Sequence, residues 1–164
     1  MKRLFLIILA SLHITIIDAV TKECAVHYLK GAPSVAVIPG FFNLTYVENR
    51  GCAWGLLQGQ VWPLAVFAAL VMALLLWRRR DFFFLEGPRW RVKISAVAEA
   101  LLYSGIVGNL IDRVFRGYVV DFFDFHWGAG YHFPCFNVAD ICISAAAALL
   151  IFLSFFDSKA KKDL

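Results

Sequence analysis

Four long apolar runs divide this chain: Leu4 to Val20, Val61 to Trp77, Ile94 to Ile111 and Val138 to Phe156. Of 164 residues, 61% are apolar or aromatic and only 17% are charged, with a mean hydropathy of +0.71. Much of any folded surface must face its solvent, so a water-soluble domain of this size has nowhere to put so much apolar area. Lipid is the solvent such runs require, and intrinsic disorder is excluded on the same grounds. At 1.5 Å per residue a 17-residue helix reaches only about 26 Å, so flanking aromatics such as Trp62, Trp77, Trp90 and Tyr103 must carry the runs into the interface. The sequence predicts one integral membrane domain over residues 1–164, with spans near 4–20, 61–77, 94–111 and 138–156.

Charge placement predicts orientation, because segments left in the cytoplasm retain Lys and Arg. With the N-terminus inside, Lys2, Arg3, the Arg78 to Lys93 cluster and the Lys159 to Lys162 tail give eleven cations in about 27 inner residues. The outer segments, 21–60 and 112–137, hold only Lys22, Lys30, Arg50, Arg113 and Arg116. Both termini are therefore expected in the cytoplasm. The net charge of +4 reads as this topology signal, and no nucleic-acid-binding motif accompanies it. Lys2 and Arg3 before an apolar stretch resemble a secretory signal, but no small-residue cleavage site closes the run and Asp18 interrupts its end, so the run reads as a retained span.

In the first outer segment, Val35 to Ile38 and Phe41 to Val47 are β-branched and aromatic about Pro39-Gly40, which predicts a small hairpin at the membrane surface. The second outer segment, rich in aromatics and Gly, reads as a loop lying partly in the headgroups. Acidic residues gather at this same face: Asp18, Asp112 and Asp140 end three of the runs, and Asp121 lies between the last two. A carboxylate at the edge of a bilayer is costly and has either a partner or a task. Asn109 with Asp112, and Asn137 with Asp140, are three apart and share helical faces. Two carboxylates held close share a proton, so that one takes a proton from water while the other donates, which is aspartic-protease chemistry. Glu99, deeper in the third run, reads instead as a helix-packing carboxylate.

The residues also form an ordered series: Asp18 with Thr21-Lys22, Asn49-Arg50-Gly51-Cys52-Ala53-Trp54-Gly55, Gly108-Asn109-Leu110-Ile111-Asp112-Arg113, Val119-Val120-Asp121-Phe122 and Phe136-Asn137-Val138-Ala139-Asp140. This series resembles the lipoprotein signal peptidase (signal peptidase II) family over nearly the whole chain. The resemblance implies an all-α membrane protein of four transmembrane helices with a small extracytoplasmic β-sheet or cradle and an outer loop. It implies a monomeric aspartic endopeptidase of the bacterial cytoplasmic membrane, with its site toward the periplasmic face and no metal or cofactor. Its substrate would be a lipid-modified prolipoprotein, met among membrane lipids and cut before the diacylglyceryl cysteine. By position Asp121 and Asp140 match the catalytic pair, and Asp18, Lys22, Asn49, Gly51, Asn109, Asp112, Arg113 and Asn137 match residues that shape or support the site. Cys52, Ala53 and Trp54 depart from the two alanines and phenylalanine usual in the family, and Cys135 stands where a small apolar residue is usual.

Other readings are a small ion- or proton-coupled transporter, which the outer placement of the acids and the lack of broken or repeated helices disfavour, and a membrane scaffold. A zinc site from Asp124, His126, His132 and Cys135 fits no standard ligand spacing, and these His residues read as amphipathic side chains at the interface. No close Cys-x-x-Cys pair directs a disulfide among Cys24, Cys52, Cys135 and Cys142.

Overall fold

A computed structural model describes residues 2–127 and 130–160. Its helices are α1 (Lys2–Leu29), α2 (Val61–Trp77), the short α3 (Arg79–Phe82), α4 (Arg89–Arg116) and α5 (Val138–Ala160). Three of them, α1, α4 and α5, are long and apolar enough to cross a membrane, and α2 is an apolar helix of 17 residues. Helices α1 and α4 extend well past the runs that predict them, by about two and a half turns at the C-terminal end of α1 and by more than a turn at the C-terminal end of α4. Hydropathy marks only the lipid-facing length of a helix, and the extra turns carry Lys22, Asp112 and Arg113, the polar part that matters below. Gly117, at φ 75°, ends α4 in the left-handed conformation that glycine adopts without a steric penalty.

Helix α4 is the centre of the bundle, with more than half of its most apolar stretch buried, whereas α1 and α5 are largely exposed there. Phe5, Ile8, Leu12 and Ile16 of α1, Phe67 and Leu70 of α2, and Ile151 and Phe155 of α5 all point outward. Contiguous apolar surface of that extent calls for acyl chains as its partner. Toward one end, Ile7, Leu75, Phe83, Ala100, Tyr103 and Ile106 form the core. There Glu99 is fully buried and ion-paired with Arg79 of α3, its Oε2 accepting from Nη2 at 2.9 Å, in keeping with a packing role.

At the opposite end of the bundle lies a four-stranded antiparallel sheet of order β1-β2-β3-β4, formed by Val35–Ile38, Phe42–Asn49, Val119–Trp127 and Tyr131–His132. The expected hairpin is present as β1 and β2, turning at Pro39-Gly40-Phe41. The expected loop over 112–137 is not what forms: α4 continues to Arg116 and the aromatic run becomes β3, the strand that β2 pairs with from Phe42↔Phe125 to Asn49↔Val119. The strand was hidden because it carries large apolar groups on both faces, which erases the in-out alternation. Val120 and Phe122 pack on Ala25 and Leu29 of α1, while Phe123 and Phe125 on the other face stack near Phe136. A bulge between Leu44 and Val47 re-registers β2 beside Asp121.

Candidate active site

All ten residues singled out from the sequence meet where the sheet joins the ends of α1, α4 and α5. Asn137 is the hinge of the arrangement. It caps α5: its Oδ1 accepts from the Asp140 N–H at 3.0 Å, and the Asp140 carboxylate accepts from the Asn137 N–H at 3.2 Å, a reciprocal pair of the capping-box kind. The Asn137 amide Nδ2 donates to Asp121 Oδ1 at 2.6 Å, with Asn109 Oδ1 and the Val120 carbonyl also within 3.2 Å. One fully buried asparagine therefore touches both carboxylates.

Each carboxylate has a second amide. Asn49, at the end of β2, donates to Asp121 Oδ2 at 2.9 Å, and Asn109 of α4 donates to Asp140 Oδ1 at 2.7 Å. Asn49 is held in turn by the Gly51 N–H at 3.0 Å, and Arg113 bonds the Gly51 carbonyl at 3.1 Å and the Asn109 carbonyl at 3.3 Å. Gly51 has no room for a side chain, because a Cβ there would lie 2.4 Å from the Leu56 carbonyl oxygen.

Beneath this layer Lys22, 1% exposed, sits among three oxygens: Asp18 at 2.8 Å, Asp112 at 3.1 Å and Asn109 Oδ1 at 3.0 Å. Buried charges of this kind persist only when paired and hydrogen-bonded. Asp18 also reaches across the bundle to accept the Ala139 N–H of α5 at 2.8 Å, and Asp112 accepts the Val120 N–H of β3 at 3.1 Å. Arg116, outside the predicted set, bonds Asp112 at 2.9 Å and pairs with Glu23, so it anchors this layer from the rim. Gly108, part of a sequence motif but not singled out, permits the close approach: a Cβ there would meet Asp18 Oδ2 at 2.5 Å. Gly105 does the same one turn away, against the Ala139 carbonyl.

The two carboxylates differ in surroundings. Asp140 is half-buried and lines a cavity of about 720 Å³, whose polar end is completed by Asn49, Asn109 and Arg113. Phe67, Ala68 and Val71 of α2 and Ile106 of α4 form part of its apolar wall. Asp121 is 1% exposed, and burial, with the Asp140 charge next in weight, pushes its carboxyl up to about 7 despite donors from Asn49 and Asn137. Trp54 and Phe133 meet edge to face at 5.7 Å along the cavity lining. Trp54 and Leu57 both hold left-handed φ, 62° and 56°, an unfavourable conformation for large side chains.

His126 is buried in the sheet, unlike an amphipathic surface side chain, while His132 is exposed. Together with Asp124 they converge, whereas Cys135 lines the cavity with Cys52. Cys24, Cys52, Cys135 and Cys142 are free thiols.

Among solved structures, the chain resembles two bacterial membrane enzymes determined by the in meso method. One gives a TM-score of 0.76 at 33% identity over 96% of this chain and 92% of the other, and the second 0.72 at 36% over 89% and 90%. Fold and site thus define a helical, multi-pass membrane enzyme with a small antiparallel sheet. The family model described as Signal peptidase (SPase) II matches residues 10–156. Lipoprotein signal peptidases of Clostridium acetobutylicum and Symbiobacterium thermophilum are 38% and 41% identical, over 88% and 82% of this chain and 90% and 84% of their own lengths. The chain belongs to the signal peptidase II family.

Proposed function

We propose that this protein is an aspartic endopeptidase that removes the signal peptide from diacylglyceryl-modified prolipoproteins, cutting before the lipidated cysteine, with Asp121 and Asp140 as the catalytic pair. The observation that carries the reading is Asn137 bridging buried Asp121 to Asp140, which lines the polar end of a largely apolar cavity. Asp121, buried and holding a proton near neutrality, is suited to act as the acid, and Asp140, open to the cavity, as the base. Asp140 takes a proton from water as the water oxygen bonds to the scissile carbonyl carbon, and Asp121 gives its proton to the carbonyl oxygen. On collapse of the diol, a hydroxyl returns its proton to Asp121, and the amine leaves with the proton held by Asp140. Asn49, Asn109, Asn137 and Arg113 position the pair, and the Asp18-Lys22-Asp112 layer holds the ends of α1, α4 and α5 in register beneath it. The apolar walls suit the acyl-bearing cysteine and the apolar stretch of a signal peptide, both of which arrive from the bilayer.

The same reading makes residues 1–164 one membrane domain of four crossings, with α2 reaching the interface through Trp62 and Trp77. Both termini lie in the cytoplasm of a bacterial inner membrane and the sheet lies on the periplasmic side, as the Lys and Arg distribution favours. The enzyme acts as a monomer, without metal or nucleotide in the reaction. The test is a gel-shift assay on protein purified in detergent with a diacylglyceryl-modified prolipoprotein. Wild type is expected to release the signal peptide, whereas Asp121→Asn and Asp140→Asn, folded as judged by thermal melting, lose at least about 10²–10⁴-fold in rate. Cleavage by either variant at the wild-type rate would overturn the assignment of the pair.

A further inference from the structure

On the sheet, away from the carboxylate pair, Asp124 and His126 are two apart on β3 and so project to one face, and His126 stands directly opposite His132 on β4. One ligand-type atom from each of the three, a carboxylate oxygen and two imidazole nitrogens, lies within 4.8 Å of the others. Asp124 Oδ1 is 3.0 Å from His132 Nδ1, and the imidazoles stack at 5.2 Å with 19° between their planes. Two features say more than proximity. His126 is more than nine-tenths buried, and its Nδ1 has no hydrogen-bond partner, a state that costs a buried polar atom free energy. Asp124, also buried, has its other oxygen fixed by the Thr45 hydroxyl at 3.0 Å, the kind of outer contact that orients a ligating carboxylate.

We propose that Asp124, His126 and His132 form a binding site for a divalent transition metal of the zinc class, which ties β4 to β3. Imidazole nitrogens with one carboxylate suit zinc better than magnesium or calcium, which prefer oxygen ligands. Atoms on a tetrahedral zinc lie about 3.3–3.5 Å apart for bonds of about 2.0–2.1 Å. The Asp124–His132 separation is close to that, and exposed His132 can supply the remaining closure. Three protein ligands leave a fourth position for water, and the metal plays no part in the peptide-bond chemistry assigned to Asp121 and Asp140.

The test is equilibrium dialysis of Zn²⁺ with elemental analysis, on tag-free, EDTA-stripped protein in detergent, for wild type, His132→Gln, His126→Gln and a Cys24→Ser/Cys52→Ser/Cys135→Ser variant. One zinc per chain is expected in wild type and in the cysteine variant, with affinity reduced at least about tenfold in each histidine variant. X-ray absorption is expected to report a nitrogen and oxygen shell, and Zn²⁺ to raise the melting temperature of wild type but not of His132→Gln. His132 is exposed, so its variant decides the matter if His126→Gln fails to fold. Absence of stoichiometric zinc in wild type, undiminished zinc in His132→Gln, loss of zinc in the cysteine variant or equal binding of Mg²⁺ would each overturn the proposal.

Discussion

As the acid of the proposed pair, Asp121 needs a carboxyl at a position where burial disfavours the charged form. Its folded value of about 7 lies above the roughly 3.9 of an unfolded aspartate, so the folded state holds an extra proton between those limits. Ionising it therefore weakens the fold as pH rises through that window. Asp121→Asn is expected to melt higher than wild type at pH 8, the gain shrinking to nothing by about pH 4; thermal melts at the two pH values check this. Cleavage by wild type is expected to fall on the alkaline side as pH passes about 7 and Asp121 loses its proton. A pH–rate profile flat across this range would contradict the shared proton. Lys22→Met leaves buried Asp18 without a cationic partner and Asp112 with Arg116 alone, and is expected to cost about 3–5 kcal/mol, seen as a large drop in melting temperature. Arg113 and Asn109 are expected to tolerate substitution less well in the cleavage assay than Arg116, whose bonds lie at the rim.

At the scale of elements, the sequence disclosed the helices and their polar ends but not how closely they meet. Runs of apolar residues and Asn-x-x-Asp spacing placed Asn109, Asp112, Asn137 and Asp140 on the right faces. What they could not disclose was the contact of α4 with α5 through Gly105 and Gly108, because a glycine in an apolar run gives no period to read. Gly108→Ala is expected to displace Asp18 from the Ala139 amide and so disturb the first turn of α5, lowering both melting temperature and cleavage rate. Asp18→Asn, which keeps the shape of the side chain, should recover part of the melting temperature that Asp18→Ala loses. The strand β3 was illegible for a different reason: Val-Val-Asp-Phe-Phe-Asp-Phe is apolar on both faces, and only its β-branched and aromatic content hinted at extended backbone. Asp124, His126, His132 and Cys135 group in the sequence at a spacing that fits no standard metal site; the β3–β4 register brings the first three together and leaves Cys135 in the cavity lining.

At the scale of the whole molecule, the outward-facing side chains of α1, α2 and α5 make the lipid part of the fold. On the proposed topology, a reporter fused to the C-terminus is expected to be active only where cytoplasmic reporters are, and a thiol reagent that cannot cross membranes should label Cys24, exposed toward the C-terminal end of α1, from the periplasmic side. The bond from Asp18 to the Ala139 amide joins positions 121 residues apart. Biosynthesis proceeds from the N-terminus, so the ribosome has made α1, α2 and α4 before this contact can close. A nascent chain that lacks α5 has neither Asp140 nor the Ala139 amide whose hydrogen bond Asp18 accepts. On the proposed assignment of Asp121 and Asp140 such a chain is expected to be inert, and cleavage is expected to begin only once α5 has been made and seated against α1 and α4.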